Sequence, residues 1–149
     1  MTASAALPLA GRDATLAPSP ATDYTCPECG GHGTRPTCRT DCPRRISVIA
    51  APDSLDVYEA RGFREDLIGL AGSYSRIVID MAGCRYMDTT GLAVLIGALR
   101  RAKAQGGSVV LAGPRPSVLR MLAVTGMARL LRSAGTVDDA MALLAGDPS

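Results

Sequence analysis

An acid and two hydroxyls stand directly ahead of a strongly apolar helical pattern in the stretch YMDTTGLAVLIGALRRAKAQGG, which runs from Tyr86 to Gly107. Asp88, Thr89 and Thr90 are residue types that cap helices, because a side-chain oxygen can accept hydrogen bonds from the free N–H groups of the first turn. The same N–H groups and the positive helix end would favour a phosphate carried by one of the hydroxyls. Two interpretations follow, a helix cap and a phosphorylation site, and the stretch taken alone favours the cap.

A second candidate site is a cluster of cysteines. Cys26, Cys29, Cys38 and Cys42 follow the spacing C-x2-C-x8-C-x3-C, and CPECGGHG resembles the zinc modules of DnaJ-type proteins. Four thiolates satisfy the tetrahedral geometry of a structural zinc, and His32 could replace one of them. The alternative is a thiol-bearing segment without metal in a reducing compartment, where disulfides are disfavoured.

The motifs of the common α/β enzymes are missing from the sequence. It contains no phosphate-binding G-x-x-x-x-G-K-[ST], no G-x-G-x-x-G after a strand and no G-x-S-x-G. His32 is the only histidine and lies in the cysteine segment, so the regular part of the chain has no histidine for acid–base catalysis. Cys84 follows a predicted strand and is interpreted as a small buried apolar residue. These observations favour a binding module over an enzyme.

Length and net charge restrict the class of protein further. The chain has 149 residues, enough for one domain with a substantial core. Its 16 basic and 14 acidic residues give a net charge of +2, and it has no Trp and one Phe, which argues against direct nucleic-acid binding. No apolar run reaches the roughly 18 residues of a membrane-spanning helix, because Arg100 and Arg101 end the longest one. We expect a cytoplasmic protein without membrane insertion.

Composition divides the chain near residue 45. Residues 1–25 are rich in Ala, Pro, Thr and Ser without a regular period, which predicts a disordered tail. Residues 26–45 form the cysteine-rich segment. From Ile46 the short apolar runs ISVIAA, RIVIDMA and SVVLAG alternate with helical patterns, which indicates an α/β domain with crossover helices and parallel or mixed strand pairing.

The helix after Thr90 has the clearest period. Leu92, Leu95, Ile96 and Leu99 recur at helical spacing and should face the sheet. The opposite face is small apart from one arginine, and it carries Ala93, Gly97, Arg100 and Ala104. A later helix should begin at Thr136 as N-cap and end at Gly146.

The order of these motifs resembles the STAS domain, in particular the bacterial anti-sigma factor antagonists. A strand ending in Asp80, the loop MDTTGL, a helix, GG and a strand, and a helix ending in TG follow one another as in that family. SLDVYEA is similar to the family's acidic turn and puts Asp56 at its acid position. The resemblance covers about residues 46–145 and implies a small mixed sheet of about four strands with helices mainly on one face.

The resemblance also implies a function. In that family the first hydroxyl after the Asp is phosphorylated by an anti-sigma factor that is a serine kinase, and here this position is Thr89. The chain would then be a non-enzymatic regulator of sigma-factor-dependent transcription. The residues expected to contact the partner are Asp56, Asp88, Thr89, Thr90, Gly91, Ala93, Gly97 and Arg100.

The sequence departs from the family pattern at two places. Thr89 stands where the family more often has serine, and RRISVIAAP is the only strand-like text ahead of the acidic turn, where the family has two strands. The first strand is therefore missing, degenerate or replaced by the cysteine segment. Two other functional classes stay open: a STAS subunit of a membrane transporter, such as a lipid-transport ATPase, and a zinc- or redox-responsive sensor.

Overall fold

Strands and crossover helices alternate along the computed structural model, which describes residues 46–72 and 74–146. The predicted tail, the cysteine-rich segment and any strand ahead of Ile46 lie outside the described residues. The strands are β1 (Ile46–Ala50), β2 (Ser54–Leu55), β3 (Arg76–Asp80), β4 (Tyr86–Met87), β5 (Ser108–Ala112) and β6 (Arg132–Ala134). The helices are α1 (Ala60–Ala71), α2 (Thr89–Ala104), α3 (Pro116–Thr125), a short 3-10 turn (Met127–Arg129) and α4 (Val137–Ala145).

The main sheet has four strands in the order β1-β3-β5-β6, and β2 pairs with β4 in a separate two-stranded sheet. The expectation of about four strands is confirmed. Every pairing among the described strands is parallel, with Val48 opposite Val78 and Val78 opposite Val110. The mixed sheet implied by the resemblance is therefore not seen in this part of the chain. The reason is that β3, β5 and β6 each follow a helical crossover, which returns the chain to the same end of the sheet.

Helices cover the two faces of the main sheet unequally, as expected. α1, α2 and α3 pack on one face, against a core that includes Ile77, Ile79 and Leu111. α4 packs on the other face, where its Met141 and Leu144 are buried with Val78 and Val110. Alternate residues of each strand point to opposite faces, so a strand covered on both sides has to be apolar throughout. This explains the continuous apolar run VVLA in β5, all of which is buried.

Backbone hydrogen bonds end α2 sharply and turn the chain into β5. The N–H of Gly106 bonds to the carbonyl of Lys103 at 3.0 Å, and the N–H of Gly107 to that of Ala102 at 2.8 Å. Gly106 has a φ of 80°, so this is a Schellman ending with a left-handed residue. A Cβ on Gly107 would collide with the carbonyl oxygen of Ser75, so glycine lets this turn lie against the start of β3.

The last helix begins and ends where the sequence predicts. Thr136 is the N-cap of α4, and its hydroxyl oxygen accepts a hydrogen bond from the N–H of Asp139 at 3.1 Å. Gly146 is the C-cap. None of the helices in the described ranges is long and apolar enough to cross a membrane.

Candidate functional site

Asp88 is the residue that caps α2. Its backbone is extended, with φ −108° and ψ −172°, and its Oδ1 accepts hydrogen bonds from the N–H groups of Thr90 at 2.9 Å and Gly91 at 3.1 Å. The carbonyl of Asp88 accepts the first helical bond, from Leu92 at 3.0 Å. Thr89 is the first helical residue, and its side chain is exposed and takes no part in the cap. The cap therefore belongs to Asp88 and leaves the Thr89 hydroxyl outside it, so the geometry is compatible with both interpretations of the stretch.

Gly91 faces inward. A Cβ built on it would collide with the carbonyl oxygen of Leu55 and would lie 2.8 Å from both Leu55 Cγ and Met87 Cγ. The glycine is thus required by the packing of α2 against β2 and β4 of the same chain. Gly91 is one of the residues expected to contact the partner, but its side of the helix is buried inside the domain.

The acidic turn and the start of α2 lie side by side. β2 and β4 pair with Leu55 opposite Met87, and the N–H of Asp88 bonds to the carbonyl of Leu55 at 3.3 Å. The next residue after Leu55 is Asp56, so the two acids flank one edge of the domain. The sequence-predicted residues Asp56, Asp88 and Thr89 are brought together by this short pairing.

Asp56 organises the turn that leads into α1. Its carboxylate accepts a hydrogen bond from the Ser54 hydroxyl at 2.9 Å and from the N–H groups of Tyr58 at 3.0 Å and Glu59 at 3.2 Å. The bond from Ser54, together with the two backbone bonds, holds the pKa of Asp56 below its usual 3.8, although partial desolvation opposes the shift. Asp56 is therefore a fixed carboxylate at neutral pH.

Three exposed apolar side chains surround this edge. Tyr58 is 87% exposed, Val57 60% and Tyr86 55%, and they follow or precede the two acids in the chain. Large apolar side chains this exposed, close to fixed polar groups, are a feature of protein-docking surfaces. The sequence reading did not single them out. The sequence did contain a sign of their exposure, because Val57 and Tyr58 stand between Asp56 and Glu59 and do not belong to the apolar stripe of α1.

The outer face of α2 continues from Thr89. Thr90, Ala93 and Arg100 are exposed and Gly97 is half-buried, so these predicted contact residues lie on the accessible side of the helix. Together with the acidic turn and the exposed tyrosines they define one surface, which we call the α2 face.

Two further polar residues of the domain, Cys84 and Asp80, are buried inside the fold. Cys84 is fully buried, its Sγ donates to the carbonyl of Tyr86 at 3.3 Å, and burial raises the pKa of its thiol. The interpretation of Cys84 as a buried apolar residue is confirmed. Asp80 is also buried, and its carboxylate accepts from the N–H of Ala82 at 3.1 Å.

The zinc prediction cannot be placed in the fold. Within residues 46–72 and 74–146, no three His, Cys, Asp or Glu side chains come together as a metal site. The four predicted zinc ligands, Cys26, Cys29, Cys38 and Cys42, and His32 lie outside the described residues. The metal site therefore remains a prediction from cysteine spacing.

Comparison with known proteins gives the family. The family model described as STAS domain matches residues 38–140, which is more than half of the chain. The chain belongs to the STAS domain family. The match begins at Cys38, within the cysteine-rich segment and ahead of β1.

Its relatives include regulators and transporters. The chain is 37% identical over 73 residues to the anti-sigma-B factor antagonist of Bacillus subtilis, a match that covers 49% of this chain and 67% of the relative. The anti-sigma factor antagonist SpoIIAA, solved in its unphosphorylated form, is 21% identical with a TM-score of 0.61, over 71% of this chain and 93% of that one. The murine anion transporter Slc26a9 is 14% identical with a TM-score of 0.60, over 68% of this chain and 18% of the transporter.

Proposed function

We propose that this protein is an anti-sigma factor antagonist, which binds an anti-sigma factor with serine-kinase activity through the α2 face and is released by phosphorylation of Thr89. The protein would act in the cytoplasm, without catalysis of its own, on sigma-factor-dependent transcription. The observation that carries the proposal is the exposed Thr89 hydroxyl, left out of the cap by Asp88 at the position of the family's phosphoacceptor. The 37% identical relative is itself named an anti-sigma-B factor antagonist, which supports the choice of partner.

The setting of Thr89 suits a phosphoacceptor. A hydroxyl on the first helical residue is accessible to a kinase, and Gly91 behind it holds the helix end in place against Leu55. A phosphate there would sit at the positive end of α2, which favours added negative charge. The relative SpoIIAA has also been solved in a form described as phosphorylated. We therefore expect phosphorylation to leave the fold intact.

Electrostatic repulsion would make the phosphate a switch. Asp88 is fixed as the cap by two hydrogen bonds and cannot turn away without exposing the first-turn N–H groups. A phosphate on Thr89 would add about −1.5 to −2 charges beside this carboxylate. Burying like charges together at an interface can cost several kcal/mol, and about 3 kcal/mol already lowers affinity by more than a hundredfold. The partner should therefore dissociate while the domain stays folded.

The test begins with a pull-down from the native host read by mass spectrometry. It should capture an anti-sigma factor with a kinase domain. With that partner, Thr89→Ala should bind as wild type does and accept no phosphate, and Thr89→Asp should bind at least tenfold more weakly, because about 1.4 kcal/mol of repulsion already gives tenfold. Affinity is measured by titration calorimetry and phosphorylation by mass spectrometry of the modified peptide.

Thr90→Ala is the matched control, because Thr90 is an exposed hydroxyl one residue further along the same helix. It should bind and be phosphorylated as wild type is. If the kinase modifies Thr89→Ala as readily as wild type, Thr89 is not the acceptor and the DTT stretch is only a helix cap.

A second candidate is a STAS subunit of a membrane transporter complex. The fold likeness to a region covering 18% of the Slc26a9 transporter favours it. The pull-down distinguishes the two functions, since this alternative requires that a transport protein be captured instead of an anti-sigma factor, with binding unaffected by Thr89→Asp.

A further inference from the structure

β1 is at one end of the main sheet, and no described strand pairs with its outer edge. Its inner edge pairs with β3, from Ile46 opposite Arg76 to Ala50 opposite Asp80. Successive residues of a strand direct their N–H and C=O groups to opposite sides, so about half of the backbone groups of β1 point outward. The helices cover the faces of the sheet and do not bond to these groups. A further segment of chain has to pair with them if the edge is shielded from water.

The outer edge of β1 is shielded from water. Residues 46–49 are at most 4% exposed, and Ala50 is half-buried. In β6, the strand at the other end of the sheet, all three residues are exposed or half-buried, as expected of an open edge. Buried backbone N–H and C=O groups are almost always hydrogen-bonded. The contrast between the two edge strands indicates that chain outside the described residues covers β1.

The chain directly ahead of β1 has the length and the composition for this cover. The STAS family model starts at residue 38, and β1 starts at Ile46. A segment so close in the sequence can pair with β1 only in the antiparallel direction, because a parallel connection needs a dozen or more residues. Pro43 suits the reversal, since proline is favoured at the second position of a β-turn. A turn over residues 42–45 puts residues 38–41 opposite 46–49, the part of β1 that is buried.

The cysteine spacing conflicts with this pairing. Cys38 and Cys42 are both predicted zinc ligands. Each residue of an extended strand adds about 3.3 Å, so their Cα atoms would be about 13 Å apart in the cover. Two thiolates bound to one zinc ion, each about 2.3 Å from it, hold their Cα atoms within roughly 10 Å of each other. The segment can bind zinc with all four cysteines or extend along β1, and it cannot do both at once.

We propose that residues 38–45 form a removable outer strand on β1, and that zinc binding to Cys26, Cys29, Cys38 and Cys42 releases it. Without metal the segment pairs with β1 and closes the edge of the sheet. With zinc, Cys38 and Cys42 turn toward the ion and the outer edge of β1 opens to water. Structural zinc sites bind strongly enough to decide the folding of small domains, so the metal can offset the lost pairing of four residues. The switch does not involve Thr89 and is independent of the proposed function.

Hydrogen–deuterium exchange of the full-length protein tests the switch. The reduced protein is compared in a metal chelator and with one equivalent of zinc, and the peptide that contains residues 46–50 is followed by mass spectrometry. Its exchange should be slow in the chelator and at least tenfold faster with zinc, because the outward N–H groups lose their partners. Exchange in residues 76–80 of β3 should not change, since β3 is paired on both sides. Zinc uptake that leaves β1 exchange unchanged, or a protein that takes up no zinc, would overturn the proposal.

The double variant Cys26→Ser, Cys29→Ser is the matched control for the metal. It lacks two of the four thiolates and keeps residues 38–45 intact. Its β1 peptide should exchange slowly both in the chelator and with zinc. Faster exchange of this variant with zinc would mean that the metal acts elsewhere, and the four-cysteine switch would be wrong.

Proline substitutions test the outer strand without any metal. Arg39→Pro and Thr40→Pro each remove one N–H, and successive N–H groups of a strand point to opposite sides, so one of the two removes a bond to β1. That variant should speed the exchange of the β1 peptide at least tenfold in the chelator. Thr34→Pro is the control, because it lies ahead of the family match, and it should exchange as wild type does. Wild-type exchange in both Arg39→Pro and Thr40→Pro would show that these residues do not cover β1.

The outcomes separate this switch from the proposed function. If the kinase modifies Thr89→Ala and zinc still speeds β1 exchange, the proposed function is wrong and the metal-dependent edge stands. If Thr89 is the acceptor and β1 exchange ignores zinc, the proposed function stands and the metal-dependent edge is wrong.

Discussion

Gly91 is the position at the start of α2 where the structure tolerates a side chain least. A methyl group there would collide with the Leu55 carbonyl oxygen, which is backbone and cannot rotate away. We expect Gly91→Ala to lower the free energy of unfolding by about 1–3 kcal/mol, the usual range for overpacking a tight site. The measurement is urea unfolding followed by circular dichroism.

Thr90→Ala provides the comparison for Gly91→Ala, because it changes an exposed neighbour on the same turn. Its free energy of unfolding should stay within about 0.5 kcal/mol of wild type. Equal stability of Gly91→Ala and wild type would show that α2 can shift away from β2, contrary to the packing described above.

The structural role of a single residue was predictable where that role depends on its neighbours in the sequence. The cap at Thr136 follows from residue type and the helical pattern after it, and it is confirmed. Residue type left Asp88 and Thr89 both open as the cap of α2, and the structure has Asp88 there. The inward position of Gly91 depends on where β2 lies in space, which no local pattern encodes.

At the scale of elements, the helical period of α2 predicted the centre of its buried face correctly, but it did not predict the full width of that face. Leu92, Leu95 and Leu99 are buried, and Ile96 is half-buried and packs against the same core. Val94, Ala98 and Ala102 are buried as well. They lie on flanks that neighbouring elements cover, and a hydrophobic period taken from one helix does not show which neighbours flank it.

Gly97 offers a test at the level of the helix. Arg101 Nη1 is the nearest atom that a Cβ at this position would meet, at 3.5 Å, an ordinary contact with a flexible side chain. Because glycine is a poor residue for a helix interior, we expect Gly97→Ala to raise the free energy of unfolding by about 0.5–1 kcal/mol. Thermal and urea unfolding both measure it.

Gly97→Ala and Gly91→Ala change the same residue type in the same helix, so each is the control for the other. The two substitutions should change the free energy of unfolding in opposite directions, because Gly97 lies on the α2 face and Gly91 faces Leu55. A loss of stability in Gly97→Ala would contradict the open environment described for that position.

For the whole molecule, alternating strand and helix patterns predicted an α/β domain, and the resemblance to the STAS family implied helices mainly on one face; both are confirmed. Whether the strands pair in parallel or mixed fashion was left open by spacing, because crossover length alone does not fix the direction of every edge strand. The short β2–β4 pair was not foreseen either. Two-residue strands are too short to show a period.

The cysteine segment gives a prediction for the full chain. We expect the protein purified under reducing, chelator-free conditions to bind about one zinc ion, because four closely spaced thiolates form a tetrahedral set. Elemental analysis measures the stoichiometry. Replacing Cys26 and Cys29 by serine should abolish zinc binding, because two ligands do not hold a structural zinc.

Cys84→Ala is the matched control for the zinc experiment. Cys84 is buried in the core and is the free cysteine of the described residues, so its loss should leave the zinc content unchanged. Metal-free wild-type protein would remove the zinc site and, with it, the zinc-responsive alternative function.

The order β1-β3-β5-β6 means that, among the described elements, the sheet grows in one direction as the ribosome releases the chain. Each new strand joins the edge left by the one before, and α1 and α2 can cover one face early. The opposite face depends on α4, whose Val137, Ala140, Met141 and Leu144 are made last. A nascent chain that stalls before Val137 would present the apolar residues of that face to chaperones and to other nascent chains. Synthesis of α4 is thus the step that covers this face.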